Sequence, residues 1–215
     1  MSNISKTILL SFLAFAGLVS CNAKQTNETE TSTENNQKSE IKMNTDKNKT
    51  LIIYFSHPGE NYSVGNIKVG NTKIIADYIK DYIGCESFEV VAEKNYDMPY
   101  NQLTELAKQE QETQEKPAFK GEIKNFDQYE TIFIGTPIWW GTFPQVMFTF
   151  FDKYDMNGKT IIPFSTHEGS GLGQIVTDLK SQYPKADIKE GLAIQGHKAK
   201  DSKDKVEKWV KSFGF

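Results

Sequence analysis

The chain has 215 residues, of which 38% are hydrophobic and 12% aromatic, enough for one domain with a buried core. A net charge of −3 excludes the basic surface that nucleic-acid binding needs and gives no acidic tail. All 25 basic residues are lysines, so any bound anion is held without a guanidinium fork.

Residues 1–20 read as a signal peptide: Lys6 precedes the apolar run ILLSFLAFAGLV, which is too short to span a bilayer comfortably. The run ends in LVSC, which resembles the lipobox of bacterial lipoproteins. That resemblance implies cleavage before Cys21, acylation of its thiol and a stable membrane anchor on an exported protein. An ordinary cleaved signal peptide with an incidental cysteine is the alternative. Beyond Cys21, residues up to 49 are polar and nearly free of aliphatic side chains, too poor in burial to offset ordering entropy. Residues 21–49 are therefore expected to form a disordered tether, reaching roughly 30 Å if flexible. Cys85 is then the only unmodified cysteine, so no internal disulfide is expected.

From residue 50 to 215, strand and helix patterns alternate. The runs TLIIYF, SFEVVA, TIFIGT, TIIPFST and EGLAIQ read as strands buried on both faces, as parallel strands are. Ile75, Ile79 and Ile83 mark a helix that Gly84 stops, and NQLTELAKQEQETQEK is a weaker helical pattern. Pro144 opens a helix carrying Val146, Met147, Phe150 and Phe151; Ile175, Val176 and Leu179 mark another. Val206, Trp209, Val210 and Phe213 mark the last, with Ser202 as its predicted N-cap. Five such units predict an α/β fold, a doubly wound parallel sheet with its ligand at the strand C-terminal ends.

Three loops fall at that edge. The first leaves the strand at Ser56 and reaches a helix only at Thr72. Its GNIKVGNT has the spacing of a nucleotide-binding P-loop, but Asn71 stands where the lysine belongs and no strand ends in the companion Asp. It can also be a structural Gly-rich turn, although loops of this length are usually functional. The reading that suits a chain without arginine is a monophosphate site. The amides of residues 70–73 at a helix N-terminus, with Ser56, Asn71 and Thr72, would hold a dianion. The second loop is GTPIWWGTFPQ and the third STHEGSGLGQ. The third half matches a dinucleotide fingerprint but has Gln174 for the last glycine, and Ser170 lacks the setting of a nucleophile elbow.

A strand, then Ser56, then Gly70-Asn71-Thr72 opening a helix resembles the phosphate loop of the flavodoxins. The spacing departs from that family by an insertion of residues 59–69, and SHPGEN imitates the short motif with Gly59. Gly70 is favoured because the helix follows it at once and Pro58 disfavours helix at His57. The resemblance implies a flavodoxin-like three-layer fold with a five-stranded sheet in the order 2-1-3-4-5, and flavin mononucleotide (FMN) as cofactor. It further implies that Thr136, Pro137, Ile138, Trp139, Trp140 and Gly141 pack against the flavin. Thr166, His167, Glu168, Gly169 and Ser170 would line its edge. Adjacent residues of an extended chain face opposite ways, so one of Trp139 and Trp140 can stack on a given flavin face. The insertion would cover part of the cofactor or substrate mouth.

Acid–base chemistry has few candidates. His57, His167 and His197 show no metal spacing, and His167 is the one weak catalytic candidate, as a proton donor. An ionised Glu168 near the flavin would lower its second reduction potential. The family implies electron transfer with a redox partner protein or a small-molecule acceptor at the membrane surface. The alternative is an FMN-dependent NAD(P)H:quinone-type oxidoreductase, against which export argues. A flavin-free surface interaction protein is a third possibility.

Overall fold

The computed structural model describes residues 43–215; the expected signal peptide, Cys21 and the expected tether up to residue 42 lie outside the described residues. The elements run β1 (Thr50–Tyr54), β2 (Gly59–Asn61), β3 (Gly65–Ile67), α1 (Asn71–Ile83), β4 (Glu86–Glu89), β5 (Val91–Ala92), α2 (Tyr100–Thr113), β6 (Phe119–Lys120), β7 (Thr131–Pro137), α3 (Gln145–Lys153), β8 (Thr160–His167), α4 (Ile175–Gln182), β9 (Asp187–Ile188), β10 (Leu192–Gln195) and α5 (Lys203–Lys211). The main sheet is parallel, in the order β10-β8-β7-β1-β4, with short β9 added to β8. Counting its long strands along the chain gives 2-1-3-4-5, the doubly wound order expected from the sequence. The chain reverses direction across the sheet between β1 and β7, which places the switch point at their C-terminal ends.

Alternation along the strands builds two cores. Leu51 and Ile53 of β1, then Phe55, turn toward α2, α3 and α4, whereas Ile52 and Tyr54 turn toward α1 and α5. Every residue of β1 is buried, which is why its sequence shows a continuous apolar run rather than alternation. Gly84 ends α1 at φ 75°, a conformation open to glycine without a Cβ penalty.

The structure differs from the sequence reading in four places. SFEVVA is two strands: Val90 still donates its N–H to Tyr54 O at 2.7 Å, after which β5 leaves the sheet and pairs antiparallel with β6. The long first loop contains the antiparallel hairpin β2–β3, turned by residues 62–64. Residues 43–49, assigned to the tether, lie against the domain. Asn44 Nδ2 donates to Glu130 Oε2 at 2.9 Å and its carbonyl accepts from Thr131 Oγ1 at 2.6 Å. Ser202 precedes α5, but its hydroxyl donates back to Lys198 O at 2.7 Å instead of capping the first turn. A 3-10 turn over Gly196–Asp201 runs into α5, so that carbonyl lies within reach one turn back.

Candidate functional site

The first loop leaves β1 after Phe55 and returns at Gly70. Ser56 Oγ accepts the amide of Lys73 at 3.0 Å, a cap supplied from seventeen residues upstream because Gly70 has no side chain to give. Gly70 has an ordinary φ of −64°, so its need for glycine is steric: a Cβ would stand 2.2 Å from Ser56 Oγ and 2.8 Å from His57 O. Among the described residues, the amides of Asn71 and Thr72 find no protein acceptor, as expected of a helix's first turn. These donors and the positive end of the α1 dipole can hold an anion without a cation. Gly59, the competing glycine, begins the hairpin at φ 93°. Thr72 Oγ1 and Thr166 Oγ1 share a buried hydrogen bond of 2.7 Å, which joins the first loop to the third.

The second loop is a two-residue turn. Trp139 and Thr142 exchange main-chain hydrogen bonds of 3.0 and 3.1 Å, and both central residues, Trp140 and Gly141, have positive φ (47° and 86°). That is the type I′ pattern, and a bulky tryptophan in it carries backbone strain. The turn, rather than alternation along an extended chain, separates the two indoles. Trp139 packs edge-on against Phe55, Tyr96 and His57, at centroid distances of 5.3, 5.3 and 5.9 Å. Trp140 is 50% exposed, with its Nε1 donating to Thr104 O at 2.9 Å on α2.

In the third loop, His167 Nδ1 accepts the amide of Gly169 at 2.9 Å. A ring nitrogen that accepts leaves the proton on Nε2, and burial also lowers the affinity of His167 for a second proton, with Glu168 opposing and Lys205 assisting. His167 is thus suited to donate a hydrogen bond as a neutral ring. Glu168 turns to the segment after β10, accepting from His197 N at 2.9 Å and meeting His197 Nδ1 at 2.7 Å.

The three loops enclose a cavity of about 410 Å³. Of the residues singled out in the sequence, Asn71, Pro137, Ile138, Trp139, Trp140, Thr166, His167, Glu168 and Ser170 line it. Ser56, Gly70, Thr72, Thr136, Gly141 and Gly169 do not. The first three shape the α1 entrance. Thr136 is fully buried, with its hydroxyl on Pro137 O, and Gly141 gives its carbonyl to Gln174 N at 2.8 Å. A second group of lining residues was not named individually from the sequence, although the insertion 59–69 was expected to cover the mouth. Glu60, Asn61, Tyr62 and Val64 come from the hairpin, Tyr100, Leu103, Thr104 and Ala107 from α2, and His57 and Gly196 complete the wall. Glycines at 59 and 65 flanking ENYSV were the available sign of the hairpin.

A family model described as flavodoxin matches residues 49–213. A Bacteroides eggerthii protein assigned as a flavoprotein superposes with a TM-score of 0.62 at 26% identity, over 78% of this chain and 98% of its own. A Bacteroides uniformis protein with the same assignment gives 0.62 at 27% identity, over 76% and 98%. A flavoprotein from Lactobacillus acidophilus, solved in complex with FMN, shares the fold with a TM-score of 0.53 at 24% identity, over 72% and 97%. The sequence matches none of the curated proteins.

Proposed function

The chain belongs to the flavodoxin family, and on that premise we propose that it holds FMN at the C-terminal ends of β1, β7 and β8 and transfers electrons at a membrane surface. The observation that carries this reading is the entrance to α1, where Gly70 lies so close to Ser56 that no side chain fits. The FMN in the Lactobacillus acidophilus protein of the same fold supports it.

Bound FMN would supply the one- or two-electron chemistry. The chain's residues bind and orient it. The amides of Asn71 and Thr72 donate to the phosphate, joined by Ser56, whose oxygen accepts from Lys73 and whose own hydrogen is free to donate. Neutral His167 donates from Nε2 at the ring edge, which makes it an orienting group rather than a proton source. Trp139, braced by Phe55 and Tyr96, gives the cavity a rigid aromatic wall. The membrane surface enters through LVSC: acylation of Cys21 would tether the domain on the exported side, where it meets a redox partner protein or a small acceptor.

A second reading, an oxidoreductase acting on a small molecule, is favoured by the hairpin that covers the cavity, since a carrier gains from an open flavin edge. Two experiments test the proposal. The FMN-loaded chain should be reduced and reoxidised reversibly, and an enzyme would oxidise NAD(P)H rapidly with a quinone present. Mass spectrometry of membrane-extracted protein should find acyl mass on Cys21; unmodified Cys21 would remove the anchor from the account.

A further inference from the structure

The cavity extends past the three loops. Its far side is built by the β2–β3 hairpin and α2, held together where Glu60 Oε2 accepts the amide of Tyr100 at 2.8 Å and Tyr62 lies over Tyr100 with ring centroids 6.1 Å apart. Tyr62, Tyr100 and Trp140 give this chamber flat aromatic sides, and Leu103 and Ala107 give it an apolar floor. None of these elements is needed to hold a phosphate at α1.

His57 also lines the chamber. It is only 7% exposed, and its Nε2 has no hydrogen-bond partner among the described residues. A buried polar atom left unpaired costs about 1–3 kcal/mol, so a partner is to be sought. The neighbouring position 59 is glycine, where a Cβ would come to 3.6 Å of Nε2, and the χ2 torsion of a histidine is soft enough to present that nitrogen to a ligand. Charge narrows the class. Among the described residues no lysine lines the cavity, and its two carboxylates are engaged, Glu60 with Tyr100 N and Glu168 with His197. Beyond the α1 entrance, an anionic ligand in this chamber would meet two acidic groups and no lining lysine, so the phosphates of a nicotinamide nucleotide have no lysine to pair with here.

We infer that this chamber is a second ligand site, which takes an uncharged, flat aromatic compound against Tyr62, Tyr100 and Trp140 and hydrogen-bonds an oxygen on its edge through His57 Nε2. The inference rests on FMN occupying the three-loop side, and it names the class of small molecule that would face the cofactor. A phenolic hydroxyl suits either tautomer of a neutral imidazole, since it can donate or accept, and a carbonyl oxygen suits the tautomer protonated at Nε2.

Naphthol, which is flat, neutral and redox-quiet, serves as the probe, titrated into the FMN-loaded full chain with histidine nitrogens labelled for NMR. The visible flavin band reports whether FMN stays bound, and the His57 Nε2 resonance, identified by its loss in His57→Phe, reports the chamber. Naphthol should shift that resonance saturably while the flavin band persists. His57→Phe should weaken naphthol binding about tenfold, the equivalent of one hydrogen bond. Tyr62→Ala, at a side chain 61% exposed and so safe for folding, should weaken it several-fold. NADH should not compete. An unmoved His57 resonance at saturating naphthol, displacement of the flavin by naphthol, or unchanged affinity in Tyr62→Ala would overturn the inference. A chain that retains no FMN but still shows the His57 shift would sink the cofactor reading and leave the chamber standing.

Discussion

The carboxylate of Glu168 grips His197 twice, at its main-chain N–H (2.9 Å) and at Nδ1 (2.7 Å), tying the loop after β8 to the turn after β10. Gly196 beside it is so close that a Cβ would stand 2.5 Å from Asn71 Nδ2 and 2.9 Å from Glu168 Oε1. Segments from the starts of α1 and of the Gly196–Asp201 turn and from the third loop therefore meet at one point. Glu168→Ala should loosen that junction, raising amide hydrogen exchange across residues 196–201 about tenfold and costing about 1–2 kcal/mol. Unchanged exchange there would mean that packing alone holds the turn.

Gly70→Ala should be costly despite adding one methyl group. The new Cβ meets Ser56 Oγ and the main chain of His57, and a backbone neighbour cannot step aside as a flexible side chain does. Overpacking of this kind costs about 1–3 kcal/mol. Urea unfolding should register that loss, and equilibrium dialysis should show FMN binding falling with it. A variant of full stability that still binds FMN would mean the loop is not held as described.

His57 makes stability depend on pH. Burial lowers its proton affinity in the folded chain below the ordinary value of 6.5, with Asp97 opposing. As pH falls through about 6.5 the unfolded chain takes up a proton that the folded one refuses, so the stability present above that pH is lost below it. In His57→Phe this part of the slope should vanish. Chemical denaturation of both proteins between about pH 5 and 8 checks it, and parallel slopes would refute it.

Lys94→Met should destabilise the domain by about 2–3 kcal/mol. Glu110, 0% exposed, receives Lys94 Nζ at 2.9 Å and the Tyr96 hydroxyl at 3.0 Å, and removing the lysine strands a buried carboxylate. Adding Glu110→Leu should restore more than half of the loss, as seen in the thermal midpoints. No recovery in the double variant would show that the two charges contribute packing instead.

Much of this was legible because it is local. Continuous apolar runs and helical periodicity marked five strands and five helices, and Gly70-Asn71-Thr72 beside Ser56 pointed to the α1 entrance. The hairpin was not legible as strands, because three-residue strands such as Gly59–Asn61 have too few side chains to show a period. Val90 still donates to β1 and is followed directly by the apolar Val91 and Ala92, so nothing local marks where β5 departs to meet β6. Glu168 with His197 and Glu60 with Tyr100 are separated by 29 and 40 residues, and only tertiary packing reveals such pairs. His57 illustrates the same limit, since a histidine in sequence does not show that its nitrogen will be buried without a partner.

The most direct test is the visible absorption spectrum of the purified full chain after FMN is added and the excess removed. Retained flavin bands at equimolar stoichiometry with quenched tryptophan fluorescence are expected, because Trp139 and Trp140 line the cavity. A colourless protein, with tryptophan emission unchanged, would contradict FMN binding.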